Sequence, residues 1–514
     1  MMGLKQLEPK ILYSVNIYDL VPEDNFYRRL SEFLDLKFVY QECKTVYGKT
    51  GTPSIDPVVF FRLVLFGYFE NIISDRELIH RASDSLGVRL YLGYDLDEEL
   101  PWHSTISRTR ARIPEKVYEK LFDKILRMCI DEGLVCGEHQ SIDSTLVKAN
   151  ASLESLEKKV PKLELSKYIK ETREENQVEE IPEEKRETIE SKEVQNQISQ
   201  PDRQKSKMEI VSTEKPNVKG QSLKSRSNKE YISKSDPDSR IARKPGKLTD
   251  LYYMTHYSVD SEFNIITDVH TKHADQSDSD TLIEVVERVQ ERLSKEGLEI
   301  KSVSADKNYC SGKNLRTLEG KGIEPFIPTQ KHPNTTGTIA KSEFTYDRQK
   351  DVYICPSGSI LEYRYTTKRE AKVYAAKKKE CKNCPLRNKC TSGKKQRLVQ
   401  HSIYIDEYER LDSRIKSYNG KKKRRIRQIT TEPLFAEAKE NHGLSKFMTR
   451  GIQKAKKNSI LIASVQNLKR LITFGKKKLQ VEMKKAKSCL YEQSGPHIRY
   501  ESWSPAEETA SYLS

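Results

Sequence analysis

The chain has 514 residues, with 91 Lys and Arg against 75 Asp and Glu, a net charge of +16 and a mean hydropathy of −0.75. That length suggests two to four domains with real cores. The longest apolar stretch, "PVVFFRLVLFGYF" from Pro57, is too short to span a bilayer and holds Arg62, and "MMGLKQLEPK" lacks a secretion-signal core, so a cytoplasmic protein with no membrane partner is expected. A strongly basic chain usually meets a polyanion, most often nucleic acid, although a well-solvated surface is the plainer account. Nine cysteines, an odd number in a chain too large to need disulfide staples, favour a reducing compartment.

Residues 1–136 predict a helical unit. Asp56-Pro57 and Ser74 mark helix starts, and Ser104 in "PWHSTISRTRARI" is a candidate N-cap. In "PEKVYEKLFDKILRMCI", Val117, Leu121, Ile125 and Met128 share one helical face. Several short helices in a basic chain suit a helix-turn-helix DNA reader, and equally a helical dimerisation or packing module.

Residues 137–150 contain "HQSIDSTLVKAN", a strand with Asp143 in its middle. An acid there gives up hydration and gains nothing unless it is paired or holds a cation. Residues 151–234 are rich in Glu, Lys, Gln and Ser and nearly free of aromatics, which predicts a disordered or loosely helical polar insertion, not a domain. Order returns over 235–345. "LYYMTHYSV" and "NIITDVHT" form a hairpin around "DSEF", a helix capped near Asp278 to Asp280 ends at Gly297, and the strand-like "LEIKSVSAD" ends at Asp306. This is an α/β pattern with a crossover helix. If the last strand lies beside the first, Asp143 and Asp306 meet at one edge of the sheet.

Residues 346–400 carry Cys355, Cys381, Cys384 and Cys390, with one tight C-x-x-C pair. Four thiolates can close a structural Zn²⁺ site, with His401 as a substitute ligand; a redox pair or unliganded thiols are the alternatives. Cys43, Cys129, Cys136, Cys310 and Cys489 stand alone, and none of the scattered histidines is assigned to catalysis.

Residues 401–475 hold the third acid. Thr430-Thr431 before Glu432-Pro433 predicts a helix start. Glu432 and Lys439, seven residues apart, share a face, from which Glu437 points away. Glu432 alone could simply complement the helix dipole; its company makes the case. Basic runs flank it, "KKKRRIRQ" before and "TRGIQKAKKN" after, and Lys and Arg at that density neutralise phosphates. Residues 476–514 predict a basic, poorly ordered tail. Three carboxylates from distant segments can hold two Mg²⁺ (or Mn²⁺), and such a pair drives in-line phosphoryl displacement.

Together, "SIDSTLVKANAS", "SDPDSRIARKPGK", "SADKNY", "TTEPLFAEAKENHGLSKFMTRGIQKAKKNSILIASVQNLKRL" and "PWHSTISRTRARI" resemble bacterial insertion-sequence transposases of the DDE class. The resemblance spans nearly the whole chain outside the insertion. It implies an α/β fold: a ribonuclease H-like mixed sheet with flanking helices, an N-terminal all-helical DNA-binding domain and a small cysteine-rich insertion. The family's two Asp fall on Asp143 and Asp306, and its Glu on Glu432. The Lys of the related Tyr-Arg-Glu-Lys signature falls on Lys439. Its Arg position is Gln428, with Arg427 beside it, and its Tyr position is Arg425, so the signature is half present. Lys439, Arg427, Arg425 and Arg450 are the expected DNA contacts. The implied activity cuts the inverted ends of the element and joins them to target DNA. That requires double-stranded DNA and a homodimer or larger synaptic complex. The rivals are a metal-dependent nuclease without strand transfer and a non-catalytic DNA-binding descendant.

Overall fold

The computed structural model describes residues 16–47, 54–161, 208–209, 227–243, 248–330, 338–391 and 396–493. Eight helices come first: α1 (Ile17–Leu20), α2 (Phe26–Phe33), α3 (Phe38–Cys43), α4 (Pro57–Phe69), α5 (Asp75–Asp84), α6 (Leu86–Leu92), α7 (His103–Arg112) and α8 (Glu115–Asp131). Asp56 caps α4 as expected, accepting from Val58 N at 2.7 Å and Val59 N at 3.2 Å. α4 is apolar all round and buried nearly all round, as a central helix must be. α5 follows Ser74, also as expected. Ser104 does not cap α7. The helix starts one residue earlier, and the Ser104 hydroxyl accepts from Arg108 Nη2 at 2.8 Å, one turn on.

The main sheet combines β1 (His139–Lys148), β6 (Arg240–Ala242), β7 (Asp250–Asp260), β8 (Ile265–His273), β9 (Ser302–Ala305) and β10 (Glu324–Phe326) in the order β10-β9-β1-β7. On the far edge of β7, β6 takes the first three residues and β8 the rest. β7 and β8 form the predicted hairpin, and β7 is antiparallel to β1. The crossover helix α9 (Asp278–Ser294) then returns the chain so that β9 pairs with β1 in parallel. α10 (Gly312–Gly320) does the same for β10.

The two ends of the 151–234 segment, expected to be disordered, are structured. β2 (Leu156–Lys158) pairs with β5 (Tyr231–Ser233), and Leu156 is buried; further in, β3 (Val160–Pro161) pairs with β4 (Met208–Glu209). Residues 162–207 and 210–226 lie outside the described residues.

A second, antiparallel sheet has β11 (Thr345–Asp347), β12 (Val352–Ile354), β13 (Ile360–Thr366), β14 (Ala371–Ala375) and β15 (Leu398–Ser402), with α11 (Lys378–Lys382) and α12 (Arg387–Cys390) before the last strand. α13 (Ile405–Lys416), α14 (Tyr418–Asn441) and α15 (Ile452–Gln493) complete the chain. α15 packs along α8 and β8, so the N-terminal helices and the main sheet share one apolar core. From 476 the chain was expected to be poorly ordered. Instead it continues α15 to Gln493, through a Lys-rich run made mostly of good helix formers; residues 494–514, like residues 1–15, lie outside the described residues. Among the described residues no helix is long and apolar enough to cross a membrane.

Candidate active site

Parallel pairing of β1 with β9 ends at Ile142 opposite Ala305. The next residues on the two strands are Asp143 and Asp306. Neighbouring strands lie about 5 Å apart, so the two acids stand side by side at the end of the ladder. The packing behind them is dry: Ile142, Val303 and Ala305 are at most 1% exposed. Asp306 leaves the strand as the cap of a short turn, its carboxylate accepting from Lys307 N at 2.7 Å.

α14 lies across this edge. Arg427 Nη1 is 2.8 Å from Asp143 Oδ2, Thr431 Oγ1 lies 3.2 Å from the same oxygen, and Ser144 N donates to Oδ1 at 2.8 Å. Further along, Phe435 stacks on Tyr257, the antiparallel partner of Asp143, with ring centroids 4.6 Å apart. Lys439 donates to Thr145, two residues beyond Asp143 on the same face of β1.

Glu432 is not at a helix start. α14 begins fourteen residues earlier at Tyr418, capped by Ser417, and Pro433 lies inside it. A proline there leaves the Ile429 carbonyl without its helix partner, but Ile429 is 62% exposed and that carbonyl can meet water. The hydroxyls of Thr430 and Thr431 turn back onto the carbonyls of Ile426 and Arg427 rather than capping. This removes the dipole account of Glu432, which belongs to the first turn only. Glu432 is exposed and makes no hydrogen bond or ion pair with another described residue. Glu437 is a structural acid. Arg470 Nη2 and Gln466 Nε2 reach it at 2.8 and 3.1 Å, and Lys469 and His442 lie 3.4 and 3.5 Å away.

The remaining basic residues divide by role. Lys421, Lys422, Arg424 and Arg425 are exposed on α14, whereas Arg427 is turned inward. Arg450 is exposed and its Nε donates to the Asn150 carbonyl at 3.0 Å, which ties the loop before α15 to the end of β1. Below the acids, on the opposite side of β1, lies a network that the sequence reading missed. Ser144 Oγ donates to Asp278 at 2.9 Å, and His256 Nδ1 and Tyr309 OH are 2.7 Å apart. Burial, then the nearby Asp278, pushes the Tyr309 phenol well up. Asp278 had been read only as a helix cap and His256 as one scattered histidine; no local spacing links residues this far apart.

The four cysteines of the second sheet also converge. Cys355, Cys381, Cys384 and Cys390 line one pocket, together with Ser357 and Arg387. Ser357 Oγ sits 3.3 Å from Cys355 Sγ and 3.4 Å from Cys384 Sγ. Burial, reinforced by the other three thiols, raises Cys390. His401 is not among them: it is buried beside Tyr353, whose hydroxyl is 3.0 Å from its Nδ1. All the described cysteines are free thiols. Among the described residues no group of three or more His, Cys, Asp or Glu is arranged to hold a metal ion as it stands.

Two families match this sequence. The transposase domain DUF772 matches residues 15–112, and a transposase DDE domain matches residues 354–472. The second match takes in Glu432 and the cysteines; Asp143 and Asp306 lie outside both. No curated protein matches. Among solved structures, a piggyBac transposase synaptic complex with hairpin DNA aligns over 87% of this chain and 74% of its own, at 10% identity and a TM-score of 0.32, a likeness too distant to inform on the fold.

Proposed function

Taking the chain as a DDE-class transposase, as its two domain matches indicate, we propose that it cuts the inverted-repeat ends of its own insertion sequence and joins them to target DNA. The observation that carries this reading is the register that sets Asp143 beside Asp306, with the helix of Glu432 lying on Asp143. The order of the main sheet supports a ribonuclease H-like core: a central strand with an antiparallel hairpin on one side and two parallel strands on the other.

Asp143, Asp306 and Glu432 are oxygen donors, the type Mg²⁺ or Mn²⁺ takes. The edge already accepts one cation, the Arg427 guanidinium, so its charge fits the group. Two such ions, when bound, supply charge that activates a nucleophile and steadies the leaving oxygen. The chain's own residues do the rest. Lys421, Lys422, Arg424, Arg425 and Arg450 present positive charge along the approach to the acids, where double-stranded DNA would lie. Lys439 and Thr431 orient the first strand. Joining two ends requires two active sites held together, hence a homodimer or larger synaptic complex. We also propose that Cys355, Cys381, Cys384 and Cys390 hold a structural Zn²⁺, supported by all four thiols lining one pocket.

The test uses the protein with a plasmid bearing the DNA ends that flank its reading frame, in Mg²⁺. Cleavage at the ends and a joined product with target DNA are expected, and Asp143→Asn should lose both while still binding DNA. Cleavage without joining would make it a nuclease. Cleavage that survives Asp143→Asn would overturn the assignment of the acids.

A further inference from the structure

The acid edge carries a cation of the chain's own, and this bears on how it would load metal. The inference rests on Asp143, Asp306 and Glu432 being cation ligands. Arg427 Nη1 lies 2.8 Å from Asp143 Oδ2, with the two side chains 12% and 19% exposed. Thr431 Oγ1 lies 3.2 Å from that oxygen and 2.9 Å from the Arg427 carbonyl, between which its one hydrogen is shared. The guanidinium thus takes one of the two lone-pair sites of Oδ2, with the Thr431 hydroxyl close by. Oδ1 is already engaged by Ser144 N at 2.8 Å. No other ion pair to Asp143, and none to Asp306 or Glu432, forms among the described residues. A divalent ion held by Asp143 would therefore sit beside the guanidinium, and their like charges oppose sharing one carboxylate.

The position of Arg427 suggests what releases it. It ends the run from Lys421, in which Lys421, Lys422, Arg424 and Arg425 face solvent and Arg427 alone turns in to an acid. A phosphate backbone lying on α14 meets the exposed members first, and it offers Arg427 an anion that a guanidinium can bind through two parallel hydrogen bonds. We propose that Arg427 is a stand-in cation. It neutralises Asp143 in the DNA-free protein and transfers to a DNA phosphate when substrate lies along α14, so that the acid edge takes divalent metal only with DNA in place. Arg427 is thus a positioning residue, and DNA and metal each strengthen the binding of the other. The arrangement would also keep an idle enzyme from carrying loaded metal.

The test is Mn²⁺ binding to the full-length protein, followed by the electron paramagnetic resonance of free Mn²⁺. It is run with and without a short duplex oligonucleotide, with a DNA-only blank. Without DNA, Arg427→Ala and Arg427→Gln should bind Mn²⁺ on the order of tenfold more tightly than the parent. Duplex should tighten the parent by a similar factor and the variants little. If Arg427→Ala fails to fold, Arg427→Gln, which keeps most of the side-chain length, decides. Variants that bind no more tightly than the parent, or that gain as much from DNA, would overturn the proposal. A control separates this from the underlying reading: adding Asp143→Asn to Arg427→Gln should abolish the tight ion. If the ion persists there, the assignment of the acids has failed rather than the stand-in role.

Discussion

The acid edge and the thiol cluster both gather ligand-type side chains from distant parts of the chain, and they are held by different means. Asp143 sits in a ten-residue strand hydrogen-bonded on both sides, over the largest apolar core of the molecule. Its backbone position is set whether or not an ion is bound. The thiols hang from strands of three to seven residues and helices of five and four, over a core of six buried residues: Phe344, Tyr353, Leu361, Tyr374, Ala376 and Val399. A core that small rarely holds a module by itself, and in other small modules a metal supplies the missing stability. On the reading proposed above, the first site is built before its ligand, whereas the second would be built by it.

The largest effect that could break this contrast is at Asp306. Asp306→Asn keeps the oxygen that accepts from Lys307 N and removes only the charge. Cleavage of element ends should fall by about a hundred- to a thousandfold, the scale on which removing one group that stabilises transition-state charge acts. The thermal midpoint should stay where it was; a large drop would mean that the acid edge leans on its acids for folding. The next effect is at the thiols. Removing zinc with a strong chelator, or replacing Cys381 and Cys384 by Ser, should open residues 346–400 to limited proteolysis and leave the main sheet protected. A bound-metal content unchanged by the double substitution would show that these thiols hold nothing.

Much of the acid edge was legible from the chain because long strands and a crossover helix declare themselves by period. The β-favouring run around Asp143, the hairpin of β7 and β8, the crossover helix and the run ending at Asp306 made parallel pairing of the two acid strands one natural arrangement. The third acid was harder. Thr430, Thr431 and Pro433 carry the local signature of a helix start, yet Ser417 caps a helix that runs straight through them. Tertiary packing against β1 outweighed propensity there, and one exposed carbonyl absorbs the proline. The inward turn of Arg427 was not legible, because a run of seven residues with six basic ones gives no sign of which side chain meets an acid 284 positions away. The network of Ser144, His256, Asp278 and Tyr309 escaped for the same reason.

The smallest effect tests two acids on one helix. Glu432 is exposed and unpaired among the described residues, while Glu437, five residues on, is held by Arg470, Gln466 and the nearby His442. Burial alone would raise the Glu437 carboxyl. His442, Arg470 and Gln466 outweigh it and hold the group well below the usual carboxylate range. A carboxyl depressed by folding adds stability that is fully present above its unfolded value of about 4.3 and is lost as pH falls toward the folded one. Glu437→Gln should therefore cost about 2 kcal/mol near neutral pH, the scale of a charged hydrogen bond. That difference should shrink steadily below about pH 4. Glu432→Gln should leave the unfolding free energy unchanged across the same range while cleavage is lost. Urea unfolding of both variants between acid and neutral pH measures this directly. If Glu432→Gln shows the same acid-dependent loss, Glu432 is a structural acid like its neighbour, and the acid edge has two ligands rather than three.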